Sequence, residues 1–322
     1  MKLFKIDTIQ EVKEKLDFYF GQASGSCGES GGTEELPLFQ AMNRYLAEEI
    51  AVEENLSFGR KGYDKGHRIT AKEIGVLAAL GHSTVQVYIQ PIISIITAGE
   101  EVVSIFEEPG PKQVRDINSY LLMALLEKTG AKVGGISLVR NVHDELKKTM
   151  KDALDRSDMV IICGKITEDK KTISSIINSL GEPGVITRAI AMEPVKECII
   201  GVMKDEHCCC CSRSKLAVGI SGNPMEAILS YQTIIDYFIK KYYFKSVDAE
   251  KAITAKIAKN ISSKKGKETF CFITLKQEGS DWIAEPIDTT LSGVEQLFTA
   301  DGYVNLRDTS IETGESVKVF QL

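Results

Sequence analysis

Residues 118–163, NSYLLMALLEKTGAKVGGISLVRNVHDELKKTMKDALDRSDMVIIC, decide the fold. Two helix-length segments, Asn118 to Thr129 and His143 to Arg156, alternate with two strand-length runs, Lys132 to Val139 and Asp158 to Cys163. Leu122, Leu126, Leu146 and Met150 recur at helical spacing. The run before Cys163 is short and apolar, as a strand buried on both faces requires. The rhythm continues outward. Ile92 to Thr97 is strand-like, Ile173 to Leu180 helical, and Val185 to Met192 with Cys198 to Met203 a strand pair. Leu216 to Ile220 is a strand and Pro224 to Phe238 a helix. Strand–helix alternation of this kind predicts an α/β fold, a parallel sheet between two helical layers.

Both flanks read differently. Upstream, Thr8-Ile9-Gln10-Glu11 and Thr70-Ala71-Lys72-Glu73 match capping boxes. They predict helices over Ile9 to Tyr19 and Thr70 to Leu80. A further helix is expected from Leu38 to Glu49, with Met42, Tyr45 and Leu46 on one face. Residues 21–33 are Gly- and Ser-rich, and residues 57–68 carry three glycines; both read as loops. Downstream of Tyr243, short alternating segments such as Glu268 to Leu275 and Trp282 to Pro286 are separated by Gly-containing turns. That pattern predicts a small β-barrel or sandwich.

The 322 residues suffice for a large core. Asp+Glu is 45 against Lys+Arg 39, a net charge of −6, which argues against a nucleic-acid partner. No apolar run is long enough for a membrane span, and the charged N-terminus lacks a signal-peptide core. Four of eight cysteines are consecutive, Cys208 to Cys211, unlike a disulfide framework. A cytoplasmic location is expected.

Several segments could carry chemistry. Leu216 to Pro224 reads as strand, turn and helix. Asn223 suits the cap and Pro224 the first helical position. It is either an ordinary turn or an anion site at a helix start. Thr97-Ala98-Gly99-Glu100-Glu101 lies at the carboxyl end of the first parallel strand, where ligands of open sheets bind. Its two carboxylates either bind metal or hydroxyls or form a solvated loop. Cys163 to Lys171 follows a strand into a mixed-charge loop. Glu193 to Glu197 joins two strands, and Lys196 there could meet an anion. His207 with Cys208–Cys211 is either a hairpin tip or a soft metal site through Cys208 and Cys210.

Taken in order, LPLFQAMNRYLAEEI (36–50), RITAKEIGVLAALG (68–81), TAGEE (97–101), DINSYLLMALLEKTGAKV (116–133) and GISGNP (219–224) resemble the MoeA / gephyrin E-domain family of molybdopterin molybdenumtransferases. The resemblance runs from about Thr33 to the C-terminus. It implies a dimerisation domain at 1–88, a molybdopterin-binding α/β domain at 89–242 and a C-terminal β-barrel domain at 243–322. It also implies a homodimer, Mg²⁺, and insertion of molybdenum from molybdate into molybdopterin supplied in adenylylated form. Glu100 and Glu101 would be catalytic, with Glu101 a metal ligand. Thr97, Gly99, Asp116, Asn118, Gly164, Thr167, Lys196, Ser221, Gly222, Asn223 and Pro224 would contact the ligand.

The sequence also departs from that family. A β-rich insert is expected between Tyr63 and Arg68 and is missing. Lys61, Asn141 and Lys171 stand at positions where the family carries Asp, and Glu193 where it carries Lys. Lys cannot ligate Mg²⁺. With Arg60, Lys65, Lys165 and Lys170, these lysines would instead make a cationic crevice. Lys61, Lys165 and Lys171 are therefore candidate anion contacts. Three functions compete: a molybdenumtransferase with altered chemistry, a non-catalytic molybdopterin- or anion-binding carrier or regulator, and a structural subunit paired with a complete family member or another molybdenum-cofactor protein.

Overall fold

The computed structural model of the chain describes residues 6–21, 32–51, 62–164, 170–195, 197–204, 214–246 and 252–322, without the side chains of 170–172. At its centre is a six-stranded sheet. Its order is Lys132–Val139, Ile92–Ala98, Met159–Gly164, Ser214–Ser221, Cys198–Lys204 and Pro183–Thr187. The first four strands run parallel, and Cys198–Lys204 runs against both its neighbours.

Alternation sorts each buried strand onto two faces. Met159, Ile161 and Cys163 enter one core, with Ile93, Ile95, Leu216, Val218 and Ile220. Val160 and Ile162 enter the other, with Ile96 and Ala217. Helix α3 (Asn118–Thr129) covers the first face with Leu122 and Leu126. Helices α4 (His143–Arg156) and α5 (Lys170–Leu180) cover the second with Leu146, Met150, Ile173, Ile176 and Ile177. Each such side chain contributes about 1.5–3 kcal/mol by leaving water.

A helical rod seals the first face. It starts as helix α6 (Pro224–Ser230) and continues to Tyr243, passing through π turns at Tyr231–Ile235 and Ile239–Tyr243. Helix α1 (Ile9–Phe20) packs on this rod, with Phe20 edge-on to Phe238 at 4.7 Å. The capping boxes of α1 and α2 (Ala71–Ala79) both form.

The C-terminal sheet closes on itself. Strands Asp281–Pro286, Ala252–Ile257, Ser316–Gln321, Gly302–Arg307 and Glu268–Glu278 form a ring completed by the pairing of the last with the first. Ala255, Ile257, Ile273, Ala284, Val304, Leu306, Val317 and Val319 fill its interior.

Two expected elements differ. Residues 38–49 are not a helix. A single 3₁₀ turn, Leu38–Gln40, is followed by extended chain in which Tyr45 bridges Arg68, Leu46 bridges Val87 and Ile50 bridges Tyr63. Asn43 takes a left-handed φ of 63°, which no helix accommodates. Of the apolar residues spaced for a helix, Leu46 enters a small core with Ile69, Leu77 and Val85, Tyr45 enters the large core beneath the sheet, and Met42 is exposed. The six residues from Tyr63 to Arg68 close this ribbon as a turn.

The second difference is the expected strand 185–192, which ends at Thr187. Asp7 takes over its hydrogen bonds: its N–H donates to Ala189 O at 3.1 Å, and Ala191 N–H donates to Asp7 O at 2.7 Å. Met192–Glu193 then pairs with Glu268 and Thr269 of the C-terminal sheet. Among the described residues, no helix is long and apolar enough to cross a membrane.

Candidate functional site

The parallel strands end in one row. Gly164 is in register with Ala98 on one side and Ser221 on the other. A cavity of about 400 Å³ opens at this row. Crevices beyond the carboxyl ends of parallel strands collect loops and helix starts from several βα units, so this is where such folds bind ligands.

The row needs a glycine at 164, because a Cβ there would lie 2.3 Å from Ala98 O. Thr97 is buried, on the face of the sheet that α3 covers. Its Oγ1 lies 2.8 Å from Ser119 Oγ. Asp116 precedes α3, and its Oδ1 accepts from Ser119 N–H at 3.1 Å, satisfying one of the helix's free donors.

Asn118 ties the three walls together. Its Nδ2 donates to Gly222 O at 2.7 Å and to Cys163 Sγ at 3.0 Å. Cys163 in turn donates to Ser221 O at 3.2 Å. With Nδ2 held by two acceptors, Oδ1 is fixed as the carbonyl end. That oxygen is buried and has no hydrogen-bond partner among the described residues, although Asn118 is only 7 % exposed. Burial pushes the Cys163 thiol up to about 12; the Asn118 hydrogen bond works against this and the Asp116 charge adds to it.

Asn223 caps α6 as expected. Its Oδ1 accepts from Met225 N–H at 2.9 Å and Glu226 N–H at 3.3 Å, and Pro224 follows at the first helical position.

Of the residues expected at the site, Thr97, Glu101, Asp116, Asn118, Gly164, Ser221, Gly222, Asn223 and Pro224 line this one cavity. Gly99 is buried beside it, donating to Val139 O at 3.1 Å, and is not part of the lining. Glu100 is exposed and also outside the lining. Lys61, Lys165, Thr167, Lys196, Cys208 and Cys210 lie outside the described residues, as does Arg60. Lys170 and Lys171 begin α5, but their side chains also fall outside the description. Lys65 is exposed and does not line the cavity.

Glu193 does not reach the cavity either. It forms ion pairs with Lys264 and Lys267 (3.1 Å) of the barrel. Partial burial pushes its carboxyl up, but the hydrogen bonds and charges of the two lysines outweigh this and hold it below the usual glutamate range.

Three charged lining residues were not among those expected: Arg115, Glu197 and Glu226. Arg115 lies on a two-residue strand, Val114–Arg115, that pairs with Val102–Val103 and brings the loop back over the crevice. Glu197 precedes the antiparallel strand, whose Cys198 lies opposite Ile220, so it enters beside the parallel strand ends. Glu226 is an acid in the first helical turn, a position that the helix dipole favours in any helix. Only its segment's glycine-rich turn marks it in the sequence.

The described lining carries four carboxylates, Glu101, Asp116, Glu197 and Glu226, against the single guanidinium of Arg115. Among the described residues no three His, Cys, Asp or Glu side chains cluster to hold an ion.

Comparison with known proteins places this geometry. Residues 94–241 match the family described as "Probable molybdopterin binding domain". Residues 254–322 match "MoeA C-terminal region (domain IV)". A protein named for molybdopterin biosynthesis in Methanocaldococcus jannaschii is 26 % identical over 270 residues, 80 % of this chain and 62 % of that protein. The molybdopterin molybdenumtransferase 1 of Mycobacterium tuberculosis is 27 % identical over 206 residues, 64 % of this chain and 46 % of that protein. The chain thus spans 62 % and 46 % of the lengths of these two relatives.

A solved MoeA protein of molybdopterin biosynthesis from Pyrococcus horikoshii superposes with a TM-score of 0.79 at 19 % identity. The match covers 98 % of this chain and 99 % of that one. A molybdenum cofactor biosynthesis protein from Pyrococcus furiosus gives 0.71 at 20 % identity, covering 99 % and 100 %. At such identities the likeness concerns the fold. Both matched regions lie in sequence order along one chain, on the sheet that carries the cavity and on the closed barrel, and the chain belongs to the MoeA family.

Proposed function

We propose that the chain acts in molybdenum cofactor biosynthesis by binding molybdopterin in the cavity at the Ala98–Gly164–Ser221 row, and that it serves molybdenum insertion there. The observation that carries this reading is the Asn118 carbonyl oxygen, buried and unmet among the described residues. A pterin ring presents N–H groups along its edge, and one of them meets this acceptor. The cavity's volume of about 400 Å³ lies in the range of small-molecule sites. These residues are assigned to holding and orienting the pterin.

Calorimetry with molybdopterin tests the assignment. Asn118→Leu removes the acceptor at similar volume and is expected to weaken binding about tenfold. Unchanged affinity overturns it. Molybdate-dependent conversion of adenylylated molybdopterin tests the transfer step.

A second reading, a carrier that binds without turnover, draws support from Glu193. It stands where the family carries a lysine, and its charge is engaged by Lys264 and Lys267. Binding without turnover above a blank selects this reading.

We further infer a homodimer through the segment before residue 89, where Phe39 and Met42 expose apolar surface. Mass photometry at the monomer mass sinks that inference.

A further inference from the structure

The two edges of the central sheet are not alike. An edge strand presents unpaired N–H and C=O groups, and proteins blunt such edges with proline, charge or covering contacts. The Pro183–Thr187 edge is blunted. Pro183 has no donor, Val185 N–H donates to Asn178 Oδ1 at 2.8 Å, and Ile186 O accepts from Lys15 Nζ at 2.7 Å. At the other edge, Lys132–Val139, residues 133–139 read Val-Gly-Gly-Ile-Ser-Leu-Val and hold no charge and no proline.

Register fixes which groups face outward there. Val139 O accepts from Gly99 N–H at 3.1 Å, so residue 139 turns its backbone toward the neighbouring strand Ile92–Ala98. In a parallel strand the N–H and C=O of one residue point the same way, and the direction alternates along the chain. Ser137 therefore faces inward with Val139, while Ile136 and Leu138 turn their N–H and C=O to the open edge. Among the described residues, nothing bonds to them from that side. Their side chains agree. Ile136 and Leu138 are in register with Ile95 and Thr97, on the face that α3 covers, yet remain 40 % and 39 % exposed.

The open groups lie symmetrically about Ser137, and this selects the occupant. A second copy laid antiparallel, on a two-fold axis through Ser137, brings Ile136 opposite Leu138 of the second copy and Leu138 opposite its Ile136. Both are hydrogen-bonded pairs, and each apolar side chain meets an apolar one on the same face. Arg140 falls opposite Gly134 of the second copy and Lys132 opposite its Val142, so no two cations oppose. Moving the axis to Leu138 would set Ile136 against Arg140. Moving it to Ile136 would set Leu138 against Gly134, which the ladder skips.

We propose that the Lys132–Val139 edge is a self-association surface, at which two copies of the chain pair antiparallel about Ser137 and join their six-stranded sheets into one. An interface of this kind is isologous and closes on itself. It is separate from the segment before residue 89 and does not rest on the pterin assignment. The axis sends the parallel strands of the two copies in opposite directions, so their cavities open at opposite ends of the joined sheet.

Sedimentation equilibrium of the full chain at micromolar concentration reads the association. Leu138→Lys sets an ammonium against Ile136 and should raise the dissociation constant at least about tenfold. The mass then halves, whether or not the segment before residue 89 also pairs, while the far-UV circular dichroism stays that of wild type. Phe39→Ser reports on that other segment and leaves this step in place, so failure of either surface is distinguishable from failure of the other. Ser137→Cys reads the register. Residues at the axis form a non-hydrogen-bonded pair with Cα atoms about 4.5 Å apart, within disulfide reach. Mild oxidation should give a dimer cross-linked through residue 137, identified by peptide mass spectrometry. Hydrogen exchange over 133–139 should slow as concentration rises. The proposal is overturned by Leu138→Lys at the wild-type mass, by Ser137→Cys that stays uncross-linked, or by exchange over 133–139 that ignores concentration. Protection of that segment only when an unrelated Val-Thr repeat peptide is added, with the mass unchanged, assigns the edge to a strand of another protein and equally overturns it.

Discussion

Gly164→Ala is the sharpest test of how the site row is built. The new Cβ would lie 2.3 Å from Ala98 O and 3.3 Å from Ala98 C, both backbone atoms. Relief requires the strands to part by about 1 Å from a spacing of about 4.8 Å. A hydrogen bond of about 2.9 Å then stretches to about 3.9 Å and is lost. One or two such bonds at about 1 kcal/mol each, with about 1–3 kcal/mol of packing strain, give a cost of about 2–5 kcal/mol. The reduced freedom of the unfolded chain returns about 0.4–1 kcal/mol.

Gly222→Ala is the control, just past the end of the neighbouring strand. Its Cβ would meet Gly164 C at 3.4 Å, an ordinary contact, so its effect should stay within about 0.5 kcal/mol. Urea unfolding followed by far-UV circular dichroism gives both values, provided that the slopes match wild type. The single tryptophan, Trp282, sits in the barrel and reports on it separately. A Gly164→Ala midpoint equal to wild type, or an equal loss for the two variants, refutes the reasoning.

Two further outcomes follow from the electrostatics. Cys163 lines the cavity, but with its thiol pushed up to about 12 it carries roughly one thiolate in 10⁴ at pH 8, against about one in four for an ordinary cysteine. Iodoacetamide at pH 8 should modify it about a thousandfold more slowly than an exposed thiol, as peptide mass spectrometry would show; comparable rates contradict the burial. Glu193 is held below its ordinary value of 4.5, so the unfolded chain takes up protons first as pH falls. Its stabilisation is complete above that value and is lost as pH drops through the lower folded one. Glu193→Gln should therefore flatten the acid limb of barrel stability below about pH 5, measured by Trp282 fluorescence in urea; an unchanged limb rules the ion pairs out.

Much of the sheet region was legible because its patterns are local. The expected bounds Asn118–Thr129, Lys132–Val139 and His143–Arg156 coincide with the observed elements to the residue. There the periodicity, the flanking glycine at 130 and the apolar strand runs all agree. Residues 38–49 misled for the opposite reason. Met42, Tyr45 and Leu46 fit a helical face, but the partners that hold them extended are Arg68 and Val87, about twenty and forty residues away. A local pattern cannot report a distant bridge. The candidate site shows the same division. Thr97, Asn118 and Gly222 to Pro224 sit at strand ends and helix starts, positions that periodicity locates. Arg115 and Glu197 reach the cavity only through a two-residue strand pairing and an antiparallel neighbour.

The sequence by itself determined the α/β layering, the β character of the C-terminal region and the strand ends where ligand loops gather, because burial and backbone preference act between near neighbours. Only the tertiary structure decided which side chains meet. It joined Asn118 to Cys163 and Gly222, left the Asn118 amide oxygen without a partner among the described residues, and closed the C-terminal sheet into a ring. Those encounters depend on register and packing across segments tens to a hundred residues apart, and no periodicity within either segment encodes them.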